Sequence, residues 1–157
     1  MDRDHAVSLS RTSVNHLEDT MTRAHHRATT NLLVVQLDAG GPLNVAGDRV
    51  LVVAPAVNSR LRRWVSDEDG ARRAAADRLA EYLEGLEQVG VHASGRIGDA
   101  DAVQAIADTL PTFRADAIVI AASNERSRRR ARDVATRARR RFGLPVVDAC
   151  APVRRAA

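Results

Sequence analysis

The strongest constraint on this chain is an uninterrupted apolar run at residues 117–122, with Ile118, Val119 and Ile120 in succession. A strand with one face in water alternates apolar and polar residues, whereas a strand buried on both faces is apolar throughout. Ser123 and Asn124 follow the run, and such small polar residues bind ligands or begin a helix. We therefore predict an interior strand of a parallel α/β sheet, with these two residues at its carboxyl end.

The segments around this run fit the same architecture, because strand-like runs alternate with helical patterns. Strands are predicted at residues 32–37, 49–54, 91–97 and 145–149. Helices are predicted at 13–28, 67–89, 101–110 and 125–141, and glycines at 90 and 143 follow two of them. The expectation is one α/β domain at 31–150 with a mostly parallel five-stranded sheet, an N-terminal tail and helix at 1–30, and a flexible tail at 151–157.

The first two predicted strands leave two arrangements open. Only 12 residues, 38–49, separate Leu37 from Val50, which leaves no room for a standard crossover helix. In one arrangement the strands are parallel, and the helix at 13–28 covers the face that a crossover helix would cover. In the other, 32–37 and 50–54 form an antiparallel pair. The parallel arrangement is favoured, because both runs are apolar at consecutive positions.

Arginine clustering raises the possibility of polyanion binding. All 24 basic residues are arginine, against 20 acidic residues, and nine of these arginines lie in 125–141. The absence of lysine is explained by GC-rich codon usage, so only the clustering is informative. Consecutive triplets at 128–130 and 139–141 wrap around more than one face of a helix, and no Asn or Gln lies among them to read bases. We expect weak, salt-sensitive and sequence-independent affinity for polyanions.

Other sequence features argue against a membrane protein, a secreted protein or an enzyme. No apolar run approaches the roughly 20 residues of a membrane span, and the N-terminus lacks the apolar core of a secretory signal. The single cysteine, Cys150, excludes an internal disulfide and suits a reducing cytoplasm. No nucleophile–base pair, paired carboxylates or metal-ligand spacing can be assembled, so we expect no catalytic residues and no metal site.

The order of segments resembles the universal stress protein family. The matching segments are 50–54, 67–89, 91–97 followed by Gly98-Asp99, 117–122 and 144–147, and the stretch 58–69 resembles a bacterial subgroup with no assigned chemistry. The resemblance implies a flavodoxin-like, doubly wound sheet with strand order 3-2-1-4-5. It also implies a homodimer through the edge strand, for which Val146 and Val147 are the interface candidates.

Nucleotide-binding members of that family carry an aspartate after the first strand and the pattern G-x2-G-x9-G-[ST] after the fourth. Asp38 could stand for the aspartate. The glycine pattern is absent, since no glycine occurs between Ser123 and Gly143. Glycines let backbone N–H groups approach phosphates closely. The resemblance therefore predicts weak or no binding of ATP, and no other cofactor.

Ligands of open α/β sheets bind at the carboxyl ends of the strands. The candidate ligand-binding residues there are Asp38, Asn58, Ser59, Gly98, Asp99, Ser123, Asn124 and Arg126. Three classes of function remain. The first is a stress-response regulator with a degenerate nucleotide site that acts as a dimer through an unknown protein partner. The second is a module that binds a small ligand or nucleotide with arginines. The third is a non-specific nucleic-acid binder.

Overall fold

The computed structural model describes residues 29–41, 44–57 and 68–150. In these ranges five strands and three helices follow one another in the predicted order. They are β1 (Asn31–Gln36), β2 (Arg49–Pro55), α1 (Glu68–Gln88), β3 (Ala93–Gly98), α2 (Ala102–Thr109), β4 (Ala117–Ala122), α3 (Glu125–Phe142) and β5 (Val146–Cys150). The helix predicted at 13–28 and the tail predicted at 151–157 lie outside the described residues.

The five strands form one sheet in the order β3-β2-β1-β4-β5, and every neighbouring pair is parallel. This order confirms the predicted flavodoxin-like α/β arrangement. The apolar run of β4 lies between β1 and β5, so its interior position is also confirmed. The middle strand is β1, where Leu33 lies opposite both Leu51 of β2 and Ile118 of β4.

The antiparallel alternative for the first two strands is wrong, because β1 and β2 are parallel. No helix occurs in the described part of their connection, residues 37–41 and 44–48. The connection packs on the α1 side of the sheet. Val45 is buried in that core, and a Cβ on Gly41 would lie 2.9 Å from the ring of Tyr82. An extended link of this length reaches about 35 Å, well beyond the roughly 20 Å of a six-residue strand, so no helix is needed.

Two apolar layers cover the two faces of the sheet. Alternate residues of each strand point to opposite faces, so Leu33 and Val35 of β1 pack with α2 and α3, while Leu32 and Val34 pack with α1. The same division holds in β4, where Ile118 and Ile120 are fully buried on the α2–α3 side; helices on both faces explain the apolar strands.

Strand β3 begins later than predicted, at Ala93 instead of residue 91, and it extends to Gly98. The cause is the end of α1. Gly90 adopts a left-handed φ of 84°, and the Val91 N–H donates back to the Leu86 carbonyl at 2.9 Å. This closing turn uses the backbone of residue 91 and delays the start of the strand.

An ion pair joins α2 to α3. The Asp101 carboxylate accepts from the Val103 N–H at 2.8 Å and thereby caps α2, and Arg137 Nη2 of α3 donates to its other oxygen at 3.0 Å. The Arg137 hydrogen bond, helped by this backbone bond, lowers the pKa of Asp101 despite opposing desolvation. Its stabilisation is therefore present above the ordinary aspartate pKa and is lost as the pH falls through the lowered value.

Candidate functional site

The Asp38 carboxylate joins the carboxyl ends of β1 and β4. It accepts from the Ser123 N–H at 2.8 Å and from the Ser123 hydroxyl at 2.9 Å. It also accepts from the Asn124 N–H at 3.1 Å and from Asn124 Nδ2 at 2.9 Å. The register of β1 and β4 explains this contact, because Gln36 lies opposite Ala121 and the two strands end at the same edge of the sheet. Three of the sequence-predicted residues are thus brought into direct contact.

Asn124 connects Asp38 to the first turn of helix α3. Its side-chain Oδ1 accepts from the Ser127 N–H at 2.9 Å, which makes it the N-cap residue. The Asp38 connection must approach closely, since a Cβ on Gly40 would lie 2.6 Å from the Cβ of Ser123. Only glycine fits at position 40, because a side chain there would overlap with Ser123.

The amino end of α3 thus already holds an anion, the chain's own Asp38. Backbone N–H groups at such a helix end, together with the helix dipole, form the usual phosphate-binding arrangement of α/β proteins. Here the N–H groups of Ser123 and Asn124 are bound by the carboxylate. The bonds also cross from β1 to β4, where the chain reverses its winding direction and where ligands of such sheets bind.

The remaining predicted ligand residues do not join this contact. Gly98 ends β3, two strands from β1, and a Cβ there would lie 2.7 Å from the Cβ of Ala105. Asp99 makes a local turn, accepting from the Asp101 N–H at 2.8 Å. Arg126 is exposed in the first turn of α3. The predicted residues Asn58 and Ser59 lie outside the described residues.

Two arginines that the sequence analysis did not select also reach this edge. Arg78 of α1 donates from Nη2 to the Pro55 carbonyl at the end of β2, at 3.1 Å. Arg130 of α3 donates from Nη2 to the Ala100 carbonyl just after β3, at 3.3 Å. The position of Arg78 in the sequence could have indicated its burial. Arg78 falls three residues after buried Ala75 and four before buried Tyr82, and so occupies a position of the apolar stripe.

Both guanidinium groups are partly withdrawn from water. Burial lowers the pKa of Arg78, with the charge of Asp38 acting in the opposite direction. Burial also lowers the pKa of Arg130, opposed by Asp101, and the positive charge of Arg78 lowers it further. The two cations, carried by helices on opposite faces of the sheet, are therefore within electrostatic reach of each other.

Gln36 is a polar residue inside the core that the sequence analysis also missed. It is fully buried at the end of β1, and its Nε2 donates to the Arg78 carbonyl at 3.1 Å. Its Oε1 has no hydrogen-bond partner among the protein atoms, and neither does the buried Nε of Arg78. Buried polar atoms are nearly always paired with protein, water or ligand. The signal in the sequence was one polar residue within the run Leu-Leu-Val-Val-Gln-Leu.

The arginine-rich helix α3 contains two ion pairs between its own residues. Arg129 lies 3.8 Å from Glu125, and Arg137 lies 3.9 Å from Asp133, both across one turn of α3. Among the described residues, Arg126, Arg132 and Arg140 are exposed, and their side chains make neither a hydrogen bond nor an ion pair. Part of the helix charge is therefore balanced locally, and part faces solvent.

The two predicted interface residues of β5 differ in exposure. Val146 is buried in its own core, so its side chain is unavailable to a partner, whereas Val147 is 54% exposed. Ile118 N donates to the Pro145 carbonyl, so the parallel ladder leaves the Val146 carbonyl on the free edge of the sheet. Arg139 Nη2 donates to that carbonyl at 2.8 Å and covers part of the edge.

Other chemistry is limited in the part of the chain that the structure describes. No group of three or more His, Cys, Asp or Glu residues could hold a metal ion within residues 29–41, 44–57 and 68–150. None of the three described helices is long and apolar enough to cross a membrane. A cleft of about 600 Å³ opens at the amino ends of β1, β2 and β3, opposite the candidate edge, and Gly47, Asp48 and His92 are among its lining residues.

Comparisons with known proteins do not identify the chain. No family model matches it, and no curated protein matches it. The resemblance to universal stress proteins therefore stays a prediction, while the strand order that it implied is observed.

Proposed function

We propose that this chain is a universal-stress-protein-like regulatory domain with a degenerate nucleotide site, which acts as a dimer through a protein partner and not as an enzyme. One observation carries the proposal: the Asp38 carboxylate takes the backbone N–H groups of Ser123 and Asn124. In nucleotide-binding relatives of this kind, a glycine-rich loop at this position leaves such groups for phosphates. The strand order supports the resemblance, the single cysteine supports a place in a reducing cytoplasm, and the proposed bacterial source rests only on the resemblance of residues 58–69.

The first test is titration of the full chain with Mg-ATP by isothermal calorimetry. We expect no binding tighter than about 10 μM, which corresponds to roughly −7 kcal/mol. The reason is that a triphosphate would have to displace Asp38 from four donors, Ser123 N and Oγ and Asn124 N and Nδ2. Tighter binding would show that other groups replace the glycine loop, and the proposed degenerate site would be wrong.

The second test concerns the dimer. We propose that it forms at the β5 edge, where Val147 is exposed and unpaired sheet edges tend to find partners. Replacing Val147 with arginine places a charge in that contact, so the mass measured by light scattering is expected to fall from dimer to monomer. The matched control is Val89→Arg, since Val89 is 53% exposed but follows the end of α1. A monomeric unmodified protein at high concentration contradicts the proposal.

The outward face of α3 supports a second candidate function, sequence-independent binding of polyanions. Residues 125–142 carry nine arginines and two acids, a net charge of +7, whereas the whole chain has +4. The rest of the chain is therefore net negative, by three charges. Arg126, Arg129 and Arg132 follow one another at intervals of three residues, and Arg140 lies eleven residues after Arg129, which is close to three whole turns, so the four share one side of α3. A phosphate backbone fits such a row of charges without base recognition.

A further inference from the structure

Two partly buried cations meet at the carboxyl edge of the sheet. Arg78 comes from α1 on one face, and Arg130 comes from α3 on the other. Each is held by one backbone carbonyl, that of Pro55 for Arg78 and that of Ala100 for Arg130. These carbonyls follow the adjacent strands β2 and β3, so the two guanidinium groups flank the same stretch of the edge.

Neither cation has a carboxylate partner. Within the described residues, the ion pairs involve Arg129 and Arg137 of α3, and no carboxylate oxygen lies within 4.0 Å of the Arg78 or Arg130 guanidinium. Asp38 and Asp101 act on them from farther away, and both carboxylates are bound elsewhere. Like charges brought together in a partly dry site repel each other unless an anion joins them.

A second observation marks the same place. Arg78 Nε and Gln36 Oε1 are buried and have no partner among the protein atoms, and the two residues are joined by the bond from Gln36 Nε2 to the Arg78 carbonyl. A donor on a guanidinium already withdrawn from water has no compensation for the hydration that it lost. An ion pair between Arg78 and a carboxylate would have given this Nε donor a partner.

We propose that Arg78 and Arg130 form a binding site for a small phosphate-bearing ligand above the carboxyl end of β2. Arginine presents five N–H donors in a planar fork that matches phosphate oxygens, and each of these two has donors left beyond its carbonyl bond. Two cations match the double charge of a phosphate group at neutral pH better than the single charge of a carboxylate. The site differs from the α3 amino end that Asp38 fills, so it goes beyond the proposed function and does not depend on it.

The test is calorimetric titration of the full chain with inorganic phosphate, against sodium chloride at equal ionic strength. Arg130→Gln and Arg78→Gln are each expected to weaken phosphate binding at least about tenfold, the loss of one charge-assisted contact. The matched control is Arg73→Gln, which removes the same charge from an exposed position of α1 and should change the affinity less than about twofold. Circular dichroism checks that each variant is folded.

The outcomes separate this site from the proposed function. If the folded unmodified protein does not bind phosphate at ~10 mM, a concentration at which even weak binding is measurable, the proposed site is wrong. That result does not affect the Mg-ATP prediction. An equal loss in Arg73→Gln also overturns it, because general electrostatic attraction would then explain the binding. If Arg78→Gln does not fold, Arg130→Gln decides alone, since its one bond, to the Ala100 carbonyl at 3.3 Å, makes little structural contribution.

Discussion

Replacing Asp38 with alanine is expected to lower the free energy of unfolding by about 3 kcal/mol and the melting temperature by roughly 6–12 °C. The carboxylate accepts bonds from Ser123 and Asn124 at the junction of β4 and α3, and Ser123 N is partly buried. Hydrogen bonds to a charged acceptor contribute about 1.5–3 kcal/mol, and water replaces part of this at the exposed Asn124. Release of Asn124 also weakens the N-cap of α3.

Two variants control for this result in thermal and urea unfolding. Asp38→Asn keeps one acceptor oxygen but turns an NH₂ group toward N–H donors, so it should recover less than half of the loss. Asp77→Ala removes an exposed aspartate of α1 whose side chain makes no hydrogen bond with the described residues, and it should change stability by less than about 0.5 kcal/mol. Equal stability of Asp38→Ala and the unmodified protein would mean that Asp38 does not hold the two strands together.

Binding of the chain to duplex DNA is expected to weaken roughly a hundredfold between about 0.05 and 0.2 M salt. The estimate assumes four phosphate contacts, one for each of the exposed residues Arg126, Arg129, Arg132 and Arg140. Each neutralised phosphate releases bound counterions, so the logarithm of the affinity falls with that of the salt concentration with a slope of about −0.9 per contact. Unrelated duplexes should bind alike, because these arginines are expected to contact phosphates and no Asn or Gln lies among them to read bases.

Fluorescence anisotropy with several DNA and RNA duplexes across a salt series measures both properties. Changing the four arginines of the row to glutamine should abolish binding. The matched control changes the same number of exposed arginines elsewhere, Arg72, Arg73, Arg96 and Arg114, and should keep most of the affinity. Strong discrimination among sequences at 0.2 M salt would show a different mode of recognition, and equal losses in the two variants would remove α3 as the binding surface.

The fold followed from local patterns that the chain carries in its sequence. The apolar run of β4, the spacing of Leu79, Tyr82 and Leu86 in α1, and the glycines after α1 and α3 each report on nearby residues alone. Apolar residues repeat at different intervals in strands and in helices, so these features can be recognised without knowledge of the tertiary structure. The start of β3 was misplaced by two residues because the closing turn of α1 extends past Gly90.

The candidate site could be predicted only in part. Sequence reasoning named Asp38, Ser123 and Asn124 as neighbours of one edge, since the carboxyl ends of parallel strands meet there. It did not show that Asp38 binds the other two, because that contact joins residues 85 positions apart and depends on the β1–β4 register. It missed Gln36, Arg78 and Arg130, whose roles come from burial.

The sequence by itself thus determined the succession of strands and helices and the missing glycine loop, because propensity, apolar period and loop composition are local properties. Only the tertiary structure decided that β1 and β2 are parallel across a link with no helix in its described part, that Val146 faces inward, and that Asp38 occupies the amino end of α3. The approach of Arg78 and Arg130 to the same edge of the sheet belongs to the same group. These depend on which distant segments pack together, and that choice is made by the folding of the whole sheet with its two apolar layers.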